Sequence, residues 1–394
     1  MKLPDVNIKL GNGNLGRSAA TTDGVAGMVL TGKAVAGKLE LNRHYQLSST
    51  QDLTTLGVTA ADNALLDKEV RAFYAQAGES AELHIVVVSD ATTLTQMCAA
   101  AADSPLTKLI EGAVGRIRIA GVNKIAPADY EPVTTQFIDG DAVTAAAAAQ
   151  QCLEGLVENQ KAPVRMLMPA PAWTGSVDEQ LFKPAESSYN RVRFVLASDD
   201  AVNKTAAIGQ ILGRNAVIDP QQSDARVKSG AIASDGWFTN GKNYKEMAGV
   251  ANTLHEAGYT FYRTIPTRNG CYLNDNRMAT AFSDDYSSMS NGRIIDKAWM
   301  IVYSTYVAEI QENVEIDDQG YIPVGTCKDF EGMIQNAIKS QMSGQISAFT
   351  AYIDPAQNIL STEKLQVKCT IRPMGILKDI DVELSFSNPA LSNA

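Results

Sequence analysis

The chain has 394 residues, 45% hydrophobic and 20% charged, which is long enough for two or three domains with real cores and too apolar for a disordered protein. Its formal net charge is −10 and its 34 Lys and Arg are dispersed, which disfavours nucleic-acid binding because neutralising phosphates takes a basic face. No run approaches the roughly 18 apolar residues of a membrane span, and Met1-Lys2-Leu3-Pro4-Asp5-Val6-Asn7 lacks the apolar stretch of a signal peptide, so the expectation is a chain made and kept in a cytoplasm.

At the start, Val6, Ile8 and Leu10 alternate with Asp5, Asn7 and Lys9, the period of a half-buried strand. Gly11-Asn12-Gly13-Asn14-Leu15-Gly16 follows and fits the dinucleotide pattern G-x-G-x-x-G, but the turn-like Arg17 to Gly24 stands where a helix N-terminus must hold the pyrophosphate. A flexible hinge is the better reading. Gly27 to Ala34 resembles a phosphate loop, yet its Met28-Val29-Leu30 centre wants to be a buried strand and Ala34 lacks the hydroxyl that reaches Mg²⁺. Lys38 to Leu47 alternates like a strand, Leu53 to Ala75 reads as helix, and the polar Gln76 to Ser80 marks a boundary.

Leu83-His84-Ile85-Val86-Val87-Val88 is a continuous apolar run, as in a strand of a parallel sheet covered on both faces. Alternation of classes then continues: helices over Thr92–Ala102, Leu106–Val114, Ala142–Glu158 and Lys204–Leu212, strands over Arg116–Ala120, Val164–Met168 and Arg191–Ala197. That order predicts an α/β layered domain at 80–219. After 220 the order breaks down into α+β. Helices are expected over Lys245–Ala257, over Asp296–Val314 with Trp299, Val302, Tyr303, Tyr306, Val307 and Ile310 as its buried stripe, and over Lys328–Met342 with Phe330, Ile334 and Ile338 inward. Leu365 to Ile371 alternates as a strand, and after Pro373 and Gly375 so does Lys378 to Phe386, placing Ile380, Val382, Leu384 and Phe386 on one side. Asp379, Asp381 and Glu383 are expected to meet Lys364, Lys368 and Arg372 across strands.

No motif carries catalysis. The five cysteines, Cys98, Cys152, Cys271, Cys327 and Cys369, are scattered and read as packed thiols rather than disulfide or zinc ligands. Glu315 to Gly320 imitates a calcium loop but has Thr326 where a bidentate Glu belongs, and Ser361-Thr362-Glu363-Lys364 fits S-x-x-K without a partner motif. His44, His84 and His255 have no nucleophile motif beside them, and the paired acids Asp199-Asp200, Asp284-Asp285 and Asp317-Asp318 read as turn chemistry. The expectation is no enzyme, no cofactor and no metal.

Several segments together resemble the contractile tail sheath proteins of phages and related injection machines: Gly24 to Gly32, Tyr45 to Gly57, Ala206 to Arg214, Leu254 to Tyr259, Gly270 to Asp275, Ser283 to Tyr286 and Arg293 to Ala298, in that order. Leu3-Pro4-Asp5-Val6 stands where the commoner sheath start has Pro-Gly-Val. The resemblance implies an α+β core domain (20–79 and 220–377) with an inserted α/β domain (80–219) and terminal strand arms (1–19 and 378–394). It also implies stacked hexameric rings around an inner tube protein, baseplate and terminator partners, and assembly in the bacterial cytoplasm into a virion tail or injection apparatus. Val6, Ile8, Leu10, Ile380, Val382, Leu384 and Phe386 are then the subunit-joining residues and Gly11, Gly13 and Gly16 the hinge. A small-ligand enzyme using Ser89-Asp90 and Ser198-Asp199-Asp200 after strands, and a sheath-like end cap, are the alternatives.

Overall fold

The computed structural model describes residues 22–125 and 131–386, divided between a first unit ending at Ala308 and a second beginning at Glu309. In the first unit, β1 (Ala26–Thr31), β2 (His44–Leu47), β3 (Leu83–Val88), β4 (Ile119–Asn123), β5 (Arg165–Pro169) and β6 (Val192–Val195) form one sheet in the order β2-β3-β1-β4-β5-β6. Only the edge strand β2 is antiparallel to its neighbour. β1, β3, β4, β5 and β6 are buried at every residue, because helices cover both faces.

The helices are α1 (Thr50–Thr55), α2 (Ala64–Ala77), α3 (Leu94–Met97), α4 (Pro105–Gly112), α5 (Gly140–Gln160), α6 (Ile208–Val217), α7 (Ala251–Ala257) and α8 (Met289–Tyr306). Gly27 and Gly121 show how the layers sit. A Cβ on Gly27 would meet Leu109 of α4, whereas one on Gly121 would meet Ile208 and Leu212 of α6. Gly121 is paired with Met28, the neighbour of Gly27, so α4 and α6 lie on opposite faces. α6 also crosses α2 at backbone distance: Cβ atoms on Gly209 and Gly213 would stand 2.1 and 2.3 Å from the carbonyl oxygens of Glu69 and Phe73.

The boundary expected at residue 80 is not a break between sheets. β1 and β2 come from 20–79, yet β1 sits between β3 and β4 and β2 pairs with β3. The polar stretch at 76–80 is the end of α2 and its turn into β3: Gly78, at φ +78°, closes the helix by donating its N–H to the Tyr74 carbonyl. A polar loop inside a βαβ crossover has the composition of a linker, which is why it reads as one.

Beyond β6 the first unit is held to the sheet by short two-residue ladders and by buried arginines. Arg193 of β6 donates from Nε to Thr260 Oγ1 (2.7 Å), from Nη1 to Asp224 Oδ2 (2.5 Å) and from Nη2 to the Asp275 carbonyl (2.6 Å), and the Arg193 and Asp224 side chains are fully buried. Arg165 of β5 grips Asp296 of α8 with two bonds of 2.7 and 3.0 Å, and Arg191 adds two at 3.3 Å. Burial pushes the Asp296 carboxyl up, but Arg165 and Arg191 outweigh it and hold it below the usual carboxylate range.

These clamps correct the stripe expected on the helix around Asp296. The buried face of α8 is Met289, Gly292, Arg293, Ile294, Asp296, Ala298 and Ile301. Tyr303, Val307 and Ile310 are exposed. The helix starts seven residues before Asp296, capped by Ser288, and its contact face carries Arg293 and Asp296, charges that an apolar-periodicity reading leaves out.

In the second unit, α9 (Val324–Gln341) buries Cys327, Glu331, Ile334 and Ile338, and β7 (Ile346–Tyr352) pairs antiparallel with β8 (Lys368–Pro373). Its small core is Ile322, Cys327 and Ile353 with Phe330, Ile359, Leu365 and Val367 packed against them. β8 takes β7 as its partner, not the 378–386 segment, and none of Lys364, Lys368, Arg372, Asp379, Asp381 and Glu383 is in an ion pair among the described residues, against the expected cross-strand pairing. Of the five cysteines four are buried as expected, but Cys369, on the two-stranded ladder, is exposed.

Candidate functional site

The second unit presents unpaired β-structure. β7 and β8 form a ladder of only two strands, and β8 is exposed at five of its six residues. A two-stranded ribbon has a free edge on each side, a template for another extended segment. The chain then runs on through Met374 to Phe386 without strand pairing, and Ile380 (74%), Val382 (72%), Leu384 (91%) and Phe386 (106%) are exposed. An alternating polar/apolar segment that pairs with no strand among the described residues can gain backbone hydrogen bonds and apolar burial from another extended segment. Val6, Ile8, Leu10, Gly11, Gly13 and Gly16 lie outside the described residues.

The residues weighed for chemistry are engaged in structure. Gly27 to Thr31 lies in the buried β1, as a strand reading predicts. Asp317 Oδ1 accepts from the amides of Gln319 and Tyr321 at 2.9 Å each, a turn rather than an ion loop. Ser198 Oγ donates to the Thr205 carbonyl at 2.6 Å, Asp199 pairs with Lys68 at 2.8 Å, and Asp200 Oδ1 takes the amides of Val202 and Asn203. His255 lies 3.3 Å from Asn274. Among the described residues there is no group of three or more His, Cys, Asp or Glu that can hold a metal ion, and no helix is long and apolar enough to cross a membrane.

One constellation has no signal in the sequence. His44 Nε2 lies 2.8 Å from His84 Nδ1, His84 Nε2 is 2.8 Å from Glu82 Oε1, and Arg116 donates to Glu82 Oε2 at 2.6 Å. The two histidines are 40 positions apart and meet only because β2 adds antiparallel to β3. Burial lowers the pKa of both, with His84 further disfavouring charge on His44, while Glu82 partly restores it on His84.

Family models cover nearly the whole chain: "DUF2586, N-terminal domain" matches residues 3–277 and "DUF2586, C-terminal domain" residues 285–391. No curated protein matches. Among solved structures, the chain is similar to one from the baseplate of the anti-feeding prophage, with 13% identity and a TM-score of 0.63 over 98% of this chain and all of the other. It is similar to a chain of the contracted helical sheath of the same particle (14% identity, TM-score 0.62, 98% and 100% covered). A third is from the contracted sheath complex of PVC, an extracellular contractile injection system (15% identity, TM-score 0.59, 100% and 99% covered). Identities this low speak for the fold, and that fold is the one found in contractile sheath assemblies. On the two matched models, the chain belongs to the DUF2586 family.

Proposed function

We propose that this chain is a structural subunit of a contractile sheath, polymerising as stacked hexameric rings around an inner tube and contracting to drive that tube into a target envelope. The observation that carries the reading is likeness over the full length: the alignment to the anti-feeding prophage sheath chain takes in 98% of this chain and all of the other.

The exposed C-terminal segment supports a mechanism. Each of Ile380, Val382, Leu384 and Phe386 contributes about 1.5–3 kcal/mol when fully buried, offset by the cost of ordering the segment, about 1–2 kcal/mol per residue. One arm binds modestly. Repeated around a ring and along a helix, the same contact gains by multivalency, and a head-to-tail contact that does not close propagates as a filament. Val6, Ile8 and Leu10 act in the same way at the other end, with Gly11, Gly13 and Gly16 as the pivot.

Electron microscopy of the purified full chain tests this. Rings or tubes in the full chain, lost when residues 378–394 are removed, are expected. A chain that stays monomeric at high concentration, or assemblies that survive the truncation unchanged, overturn it. A baseplate position is the second reading, favoured by the likeness to the anti-feeding prophage baseplate chain. Closed rings that never stack into tubes select it.

A further inference from the structure

At the carboxyl ends of β4 and β5 the first unit holds a cavity of about 470 Å³, bordered by Asn123 at the end of β4 and Lys124 after it, Pro169 ending β5, and the loops that carry Lys204 and Asn240 to Lys242. The volume is in the range of small-molecule sites, roughly 300–1,000 Å³, and the carboxyl ends of parallel strands are where open α/β sheets take ligands. We propose that this cavity binds a small oxyanion, a molecule presenting phosphate or carboxylate oxygens.

The walls offer donors without acceptors to match. The ammonium groups of Lys204 and Lys242 have neither a hydrogen bond nor an ion pair among the described residues. Asn240 Oδ1 accepts from the Lys242 amide at 3.0 Å, which fixes the orientation of the side-chain amide, and its Nδ2 has no acceptor among the described residues. A buried amide donor left unpaired costs free energy that an incoming oxygen recovers. The acid on the lining is committed elsewhere: Asp139 Oδ1 caps α5 by taking the Asp141 amide at 3.0 Å. Lys124 Nζ stands 3.8 Å from Asp141 Oδ2, an oxygen that also takes the Leu94 amide at 2.7 Å.

The donors are held together by defined loops. Asp200 Oδ1 organises the turn before Lys204 through two 2.9 Å bonds. Gly241, at φ +81°, has no Cβ, and one placed there would stand 2.9 Å from the Ala201 carbonyl and 3.1 Å from Lys204 Cε. The two loops therefore touch, and Lys204 lies over the turn that presents Asn240 and Lys242. In a chain of net charge −10, two cations with no ion pair among the described residues at one cavity run against the overall trend, and an oxyanion bridging them forms charge-assisted hydrogen bonds.

The test is calorimetric titration of the full chain, in a form kept monomeric by removal of residues 378–394 if it polymerises, with inorganic phosphate, pyrophosphate and citrate at matched ionic strength against chloride. Saturable binding is expected, weakened at least tenfold in the Lys204→Ala/Lys242→Ala double variant and in Asn240→Asp, which removes the donor but keeps Oδ1. Tighter phosphates than citrate assign phosphate chemistry; the reverse assigns carboxylate. Lys204 and Lys242 are exposed, so the double variant should melt like the parent without ligand. No response beyond chloride, or equal affinity in the variants, overturns the site. Neither result bears on ring or tube formation, which electron microscopy reads independently.

Discussion

Replacing Asp224 by Asn keeps the shape of a fully buried side chain and removes its charge, leaving the Arg193 guanidinium, also fully buried, without its ionic partner. Breaking a buried pair from one side costs about 3–5 kcal/mol, because the remaining ion has lost its compensation. For a unit of this size that corresponds to a fall in melting temperature of about 6–10 °C, at roughly 2 °C per kcal/mol. Arg193→Met together with Asp224→Leu removes both charges but takes one of the two acceptors from Asn215 Nδ2, which donates to Asp224 at 2.7 Å and to the Ile211 carbonyl at 2.9 Å, and strands the Asp275 carbonyl, which accepts from Arg193 at 2.6 Å. Each group left short of a partner costs about 1–3 kcal/mol, so the double variant stays below the parent while losing less than the sum of Arg193→Met and Asp224→Leu measured singly. Urea unfolding followed by tryptophan fluorescence is the assay. Trp173, Trp237 and Trp299 all lie before the division at Ala308, so the signal reads the first unit alone. A loss under about 1 kcal/mol for Asp224→Asn, or strict additivity in the cycle, refutes the assignment of this pair as the clamp between β6 and the segments after it.

Three further outcomes are expected, two from the geometry of the first unit and one from the proposed hinge. Gly209→Val and Gly213→Val drive a side chain into the backbone of α2, which cannot move aside as a side chain can. Each should destabilise the first unit by about 1–3 kcal/mol or more, whereas Gly155→Ala on α5, with only Asn159 Nδ2 near its Cβ position, should raise stability by roughly 0.5–1 kcal/mol; equal effects at the three sites contradict the close crossing. The His44–His84 pair favours the neutral rings, so the unfolded chain takes up more protons as pH drops. Stability is full above the unfolded histidine pKa near 6.5 and falls as pH is lowered through the depressed folded values. A melting series from pH 8 to pH 5 should slope less for His44→Gln/His84→Gln than for the parent, and identical slopes count against the pair. Gly13→Pro and Gly16→Pro should block assembly without changing the melting of the first unit; assembly at parental levels removes the hinge assignment.

The strands of the sheet were legible because burial on both faces leaves an unmistakable mark: 83–88 is apolar at all but His84, and its predicted and observed limits coincide. The helices expected from Leu106 and Ala142 are present over Pro105–Gly112 and Gly140–Gln160, where Ser104 and Asp139 cap them. The place of β1 in the sheet was not, since nothing local distinguishes a βαβ crossover loop from a linker and strand order is set by contacts between residues far apart. Arg165, Arg191, Arg193 and Asp296 fall in segments scored by apolar pattern, and their pairing across up to 131 positions exists only in three dimensions. The histidine chain was missed for the same reason. The alternation at 378–386 is plain in the sequence, and its apolar residues are exposed, but the segment forms no strand among the described residues.

Amide hydrogen exchange at residues 378–386, compared between assembled particles and dissociated subunits, tests the central claim most directly. The account predicts that alternate amides of this segment, fast-exchanging in the free subunit, become strongly protected in the assembly as they join a neighbour's sheet. Exchange that remains fast in assembled particles contradicts it.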